Sequence, residues 1–270
     1  MFAYLKLPFG LQRAQIVTDS QKAIRLEKEF RWIHDQREYE KAELLLCQLE
    51  QKIPMSEAIN QQYILFHKWQ LAYGKGEISK EAFIRVAGEA LEITVPLSVA
   101  MAEIKDRKLA NGRVWIGEKY LTNTEVTILV NIAFEQGNST ENVYWEVLKE
   151  YFSWLEKKCT LAPILGMYGF VMTAVASWLG NLGRYEESNA ISDKIMRELL
   201  RKRSFGYFQR NMYILLWNDR KQKGLPMEKE DPEWRQGLLD CLAVDNYCKD
   251  EWKAANIKQR LGIVNEKVVY

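Results

Sequence analysis

Helix-breaking residues are scarce in this sequence, which has 6 prolines and 15 glycines among 270 residues. Proline removes a helical hydrogen bond and glycine lowers helix stability, so their scarcity leaves long stretches free to be helical. Alternating apolar and polar residues, the pattern of half-buried strands, are absent. Because 47% of the residues are hydrophobic, the chain can bury a large core, and we expect an all-α fold.

Residue patterns that carry catalytic or metal chemistry are also missing. The sequence has no phosphate-binding P-loop, no Rossmann glycine pattern and no G-x-S-x-G nucleophile motif. Its 2 histidines, His34 and His67, have no cysteine or histidine companion at a spacing that suits zinc. We therefore expect a protein that is not an enzyme and that uses no metal and no cofactor.

Neither sign of charge is in large excess, since 38 basic and 36 acidic residues give a net charge of +2. A balanced chain gives no electrostatic basis for binding nucleic acid, so we expect none to be bound by this chain alone. The 4 cysteines, Cys47, Cys159, Cys241 and Cys248, lie inside helical patterns with no secretory signal before them. This favours reduced, buried thiols in a cytoplasmic protein.

The stretch from Cys159 to Gly183 contains no charged residue and is long enough to cross a bilayer. It is interrupted by Pro163 and several glycines, and its small residues recur at helical spacing. That pattern suits either a membrane packing face or a repeat helix held between neighbours. We favour the repeat helix, because a turn motif begins inside the stretch, and we expect no membrane contact.

The clearest positive pattern is a helix, a tight turn and a second helix between Met172 and Leu200. This stretch resembles one tetratricopeptide (TPR) unit, with Ala176 at the helix crossing, Gly183 at the turn and Tyr185 in the second helix. Ser188 stands where the family usually has alanine, and the tryptophan, phenylalanine and proline positions of the motif do not match. A second copy begins at Arg37, where REYEKAE parallels GRYEESN, and recurrence within one chain argues for helical repeats.

Capping residues and glycines divide the chain into five such hairpins, whose second helices begin near Tyr39, Ser79, Thr140, Tyr185 and Asp231. We expect a right-handed superhelical α-solenoid of about five degenerate TPR-like hairpins and a C-terminal capping helix, which the TPR resemblance implies. The repeat domain spans 19–262, with a lead segment over 1–18, an irregular insertion at about 95–121 and a tail over 263–270.

In TPR proteins the first helices line the concave side, which suits an extended or helical peptide. The motif register places eight polar or charged residues there, namely Arg31, His34, Thr127, Asn131, Thr173, Ser177, Asn211 and Asn218. Side-chain amides carry both donors and acceptors for a peptide backbone. Each of these residues can instead be an ordinary solvated position, and that alternative stays open.

The layout also resembles the repeat domain of Gram-positive peptide-sensing regulators of the Rap, Rgg, PlcR and PrgX group, and of clostridial helix-turn-helix regulators. The similarity covers roughly 19–262 and rests on the REYEKAE turn, on TILVNIA at 127–133 and on LGNLGRYEE at 179–187. It implies a sensor and dimerisation domain for a peptide or protein ligand, with a homodimer expected. The segment over 1–18 is too short for the DNA-binding domain of that group, so we expect a sensor part alone; a stand-alone TPR scaffold for protein assembly is the alternative.

Overall fold

The computed structural model describes residues 16–95, 121–138, 140, 142–158, 165–203, 205–249 and 251–263. These residues form α-helices and no strand, which confirms the all-α prediction for the described part of the chain. The helices are α1 (Gln21–Asp35), α2 (Tyr39–Glu50), α3 (Ala58–Gly74), α4 (Lys80–Glu92), α5 (Asn123–Gln136), α6 (Val143–Lys158), α7 (Leu165–Asn181), α8 (Tyr185–Arg201), α9 (Phe208–Gln222), α10 (Pro232–Cys248) and α11 (Glu251–Arg260).

The helices fall into two compact units. The first unit comprises Met1–Gly137 with Glu141–Cys159, and the second comprises Asn138–Thr140 with Thr160–Tyr270. Within each unit every helix packs against the next one along the chain, and alternate helices also touch, as α3 does with α5 and α7 with α9. This is the arrangement of stacked helical hairpins, in which each hairpin buries its apolar face against its neighbours.

Side-chain caps fix where several helices begin. The Ser20 and Ser79 hydroxyls accept hydrogen bonds from the backbone at the third residue along, and Thr122 forms a reciprocal capping box with Glu125. Asp231 caps α10 ahead of a proline at the first helical position. These starts agree with the positions predicted from the sequence.

One predicted helix start is displaced, since α6 begins at Val143 and not near Thr140. The physical reason is Asn142, whose buried amide donates hydrogen bonds of 2.7 and 2.8 Å to the carbonyls of Ala133 and Gly137. This side chain satisfies carbonyls at the C-terminal end of α5, which keeps residue 142 outside the following helix.

The two turns that carry the repeated motif have the same backbone conformation. Gly183 has a φ of 77°, with Arg184 N–H bonded to Leu179 O at 2.9 Å. Arg37 has a φ of 62°, with Glu38 N–H bonded to Ile33 O at 3.3 Å. Both are Schellman turns, so the first helix of each motif copy ends in the same backbone conformation.

Each unit has its own apolar core. In the first unit the core includes Phe30, Leu46 and Tyr63, together with Ile16 from the end of the predicted lead segment. In the second unit a core of residues from α10 and α11 is covered on one side by half-buried aromatic residues of α9. The members used below are Trp234, Leu238, Ile257, Tyr213 and Trp217.

The prediction of buried thiols holds for Cys241 and is wrong for Cys47 and Cys248, which are exposed. Cys47 follows Leu46 on α2 and therefore points away from the buried stripe. Cys248 is the last residue of α10, beyond the buried stripe that ends at Asp245. Cys159, most of the predicted insertion and the tail beyond Ile263 lie outside the described residues.

The paired turns give a direct test of the repeat. A left-handed backbone costs a non-glycine residue on the order of 1 kcal/mol, so Arg37→Gly should stabilise the chain by up to about 1 kcal/mol. The matched change Gly183→Ala should destabilise it by about the same amount. Thermal unfolding followed by circular dichroism measures both, and a loss of stability in Arg37→Gly would contradict the shared turn conformation.

Candidate ligand-binding site

A groove in the second unit runs between α7, α9 and α11 and contains two adjoining cavities of about 210 and 250 Å³. We call it the second-unit groove. Tyr213 and Arg260 line both cavities and so join them. The first cavity is also lined by Arg210, Lys253, Asn256 and Ile257, and the second by Ser177, Asn181, Ile214, Trp217 and Asn218.

Arg260 is fixed by Tyr213. Its Nη1 donates a hydrogen bond of 2.7 Å to the Tyr213 hydroxyl, and its guanidinium carbon lies 5.0 Å from the centroid of the same ring. Burial raises the pKa of Tyr213, while Arg260 opposes that shift, so the phenol stays protonated at neutral pH. Tyr213 itself packs on the Trp234 ring at 5.9 Å, which ties the pair to the core.

The groove is electropositive. Arg210, Lys253 and Arg260 line it, and no carboxylate is among its lining residues in the described part of the chain. Lys253 also donates to the carbonyl of Gly206 at 3.0 Å, which holds its ammonium at the edge of the first cavity. Cations brought together beside an apolar core attract anionic groups more strongly than isolated surface cations do.

The floor of the second cavity is built by Asn218, which has no exposed surface. Its amide Nδ2 donates to Ser188 Oγ at 2.8 Å and to Asn189 Oδ1 at 2.7 Å, both on α8. A methyl group added at Gly180 would collide with Asn218 Oδ1. Ser188, which stands where the TPR resemblance implies alanine, therefore accepts a buried hydrogen bond from the next hairpin.

The other predicted contacts of the second unit are divided between the groove and the layer beneath it. Ser177 is exposed and lines the second cavity. Thr173 and Asn211 are buried, and Asn211 Nδ2 donates at 2.8 Å to both Thr173 Oγ1 and Tyr207 O. Peptide contact at Thr173, Asn211 and Asn218 stays a prediction; in this structure their polar atoms join neighbouring helices and support the groove.

The four predicted contacts of the first unit lie on its first helices. Arg31 forms a 2.5 Å ion pair with the buried Glu27, and Thr127 donates to Asn123 O at 2.8 Å. Asn131 Nδ2 donates to Thr127 O at 2.8 Å. His34 is half-buried, with its ring 6.1 Å from that of His67 and 6.2 Å from that of Tyr39. Contact of these four side chains with a peptide stays a prediction.

A polar chain in the first unit was not found from the sequence. The His67 ring shares a 2.9 Å hydrogen bond with Gln70 Oε1, and Gln70 Nε2 donates to Asn131 Oδ1 at 3.4 Å. His67 is buried, and this burial, with a smaller contribution from His34, lowers its pKa to about 3. One signal of this polar chain is present in the sequence. Gln70 follows His67 by about one helical turn, so the two side chains share one face of α3 and can meet.

The basic and aromatic residues of the second-unit groove were also missed. Lys253, Ile257 and Arg260 recur at four- and three-residue steps and so share one face of α11. Tyr213 and Trp217 are four residues apart on α9. These spacings are visible in the sequence, but the TPR resemblance implies only a capping role for α11.

No family model, no curated protein and no solved structure matches this chain. The similarity to TPR proteins thus rests on the motif residues and on the stacked hairpins. No described helix has the length and apolar character needed to cross a bilayer. Within the described ranges, histidine, cysteine, aspartate and glutamate side chains form no group of three or more that could hold a metal ion.

The contact between Gly180 and Asn218 predicts a large effect of a small substitution. Gly180→Ala should destabilise the second unit by about 1–3 kcal/mol, because the Asn218 amide is pinned by two hydrogen bonds and cannot move away. Gly166→Ala in the same helix is the control, since its added methyl meets no atom within 4 Å. That change should be neutral or stabilising by up to about 1 kcal/mol, and equal melting temperatures for the two variants would contradict the close contact.

The buried histidine predicts a pH-dependent stability. The unfolded chain binds a proton at His67 below its ordinary pKa of 6.5, whereas the folded chain binds it only at about 3. Stability is therefore fully present above pH 6.5 and falls as the pH decreases from 6.5 towards 3. We expect a loss of about 2 kcal/mol between pH 7.5 and pH 5.

Thermal unfolding of wild type and His67→Phe at both pH values measures this effect. Phenylalanine keeps a ring against Phe30 and Tyr63 but does not titrate. The variant should lose much less stability on acidification than the wild type, and equal losses in the two proteins would exclude His67 as the titrating group.

Proposed function

We propose that this chain is a non-catalytic, TPR-type binding domain that holds a peptide or protein ligand on the inner face of its first helices. The observation that carries the proposal is the second-unit groove, which lies between first helices α7 and α9 and the terminal helix α11. It combines aromatic, amide and basic side chains, the mixture that anchors and orients peptides in preformed grooves. Ser177 and Asn218, both predicted from the motif register, belong to its lining.

Within that class, we propose the sensor and dimerisation part of a bacterial transcriptional regulator. The support is the similarity to peptide-sensing regulators, the paired REYEKAE and GRYEESN turns and the stacked hairpins. A homodimer that acts in the cytoplasm, and right-handed coiling of the repeats, belong to the same proposal. A ligand that binds one conformation better than another shifts the equilibrium between them, which is how such a domain would report a peptide.

An assembly scaffold is the second candidate. It is favoured by large apolar side chains that remain exposed on the first hairpin, Trp32 and Leu44, each with 65% of its surface accessible. Exposed apolar residues of this size serve protein contacts more readily than small-ligand binding.

The test is binding of fluorescently labelled wild-type chain to an array of random-sequence peptides about ten residues long. Ser177→Trp should fill the second cavity and reduce the retained signal by about tenfold. Ala190→Trp is the matched control, because Ala190 is an exposed small residue of α8 outside the groove lining. Light scattering of the same samples, with and without a retained peptide, reports the dimer and any change in it.

Absence of peptide binding by the wild type, together with capture of a folded protein partner that Trp32→Glu abolishes, would replace the sensor proposal with the scaffold. If Ser177→Trp and Ala190→Trp reduce peptide binding equally, the chain binds peptides but does not bind them in this groove.

A further inference from the structure

We infer that the second-unit groove selects acidic peptides, with a carboxylate of the ligand beside Arg210, Lys253 and Arg260 and an apolar side chain of the ligand against Trp217 and Ile214. This inference rests on the proposed function and names its ligand class. It follows from how charge and apolar surface are distributed between the two adjoining cavities.

The first cavity supplies the cationic part. Arg210, Lys253 and Arg260 line it, and the described lining residues include no carboxylate. Arg260 uses one of its five N–H donors on Tyr213, and its guanidinium can bind a carboxylate through two parallel hydrogen bonds. Because Tyr213 holds the guanidinium in place, little side-chain entropy is lost when a ligand binds.

The second cavity supplies the apolar part. Ile214 is buried and Trp217 is half-buried, with Lys221 5.5 Å from the centroid of the Trp217 ring. Asn181 at the rim is exposed, and its amide can pair with a peptide backbone. An apolar side chain of the ligand that entered this cavity would pack against Trp217 and Ile214 and lose its contact with water on that side.

The joined cavities fit alternate side chains of one extended peptide. Residues i and i+2 of an extended chain point to the same side, so one can enter each cavity. Each cavity is smaller than the roughly 300–1,000 Å³ usual for a drug-sized ligand, which also favours single side chains over a compact small molecule. A nucleic acid strand would need cations along the whole groove, whereas the described residues that line the second cavity include one cation, the shared Arg260.

The probes are fluorescein-labelled peptides of about ten residues in which pairs of leucines alternate with pairs of glutamate, glutamine or lysine, so that residues i and i+2 always differ. Fluorescence anisotropy with the full chain should give a Kd at least about tenfold lower for the glutamate peptide than for the glutamine peptide. The lysine peptide should bind more weakly still. Raising the salt concentration should weaken the glutamate peptide most, because salt screens its attraction to the exposed cations.

Two variants connect this selectivity to the groove. Arg260→Met keeps an unbranched side chain but removes the charge, and it should abolish the preference for glutamate over glutamine. Trp217→Ala should weaken both peptides and leave the preference in place. Arg201→Met is the matched control, because Arg201 is an exposed arginine on α8 paired with Glu198 at 2.6 Å and lies outside the groove lining.

Each outcome decides a different question. Equal affinity for the glutamate and glutamine peptides, unchanged in Arg260→Met, overturns the acidic selectivity and leaves peptide binding intact. No binding of any peptide, in this series or in the random array, overturns the proposed function as well. Tighter binding of a labelled oligothymidylate, with the same dependence on Arg260, overturns the inference in favour of nucleic acid.

Discussion

The second unit depends on one close approach, the contact of Gly180 in α7 with the Asn218 amide of α9. A buried amide donor is costly when it is unpaired, and Asn218 pairs its two Nδ2 donors with Ser188 and Asn189 of α8. Three helices are thereby held in one register. Since α7 and α9 also form the wall and floor of the second-unit groove, the shape of the groove follows from this hydrogen-bonded crossing.

Most of the helical layout was predictable, because helix ends carry local signals. Ser20, Ser79 and Asp231 cap their own helices by accepting hydrogen bonds from residues three positions along. Both partners of each bond therefore lie within four consecutive residues, where a local sequence pattern can show them. The start of α6 was displaced for the opposite reason. Asn142 bonds to Ala133, nine residues earlier, and no local pattern shows that its amide serves the preceding helix.

The candidate site was predictable only in part. Ser177, which the motif register predicts to face inward, lines the second cavity of the groove, and its contact with a peptide stays a prediction. Helical register predicts the direction in which a side chain points but not how far it is buried, because burial depends on the neighbouring helix. Asn211 is buried against α7, where its amide donates to Thr173. The pairing of Tyr213 with Arg260 joins residues 47 positions apart, and sequence spacing cannot reveal which helices lie side by side.

Polar residues on the first helices and on α11 therefore fall into two groups with different physical roles. Asn131, Asn211 and Asn218 use their amide donors inside the protein. Asn211 and Asn218 donate to neighbouring helices, whereas Asn131 donates to Thr127 O within α5. Arg260 uses one of its five N–H donors on the Tyr213 hydroxyl, and most of the others can bind a ligand in the groove. A ligand that bound the amide nitrogens of the first group would have to break internal hydrogen bonds, whereas a ligand that bound Arg260 would meet a cation already held in place. The internal hydrogen bonds of Asn211 and Asn218 also hold together the helices that form the second-unit groove. The rigidity that results lowers the entropic cost of binding at the basic edge of the groove.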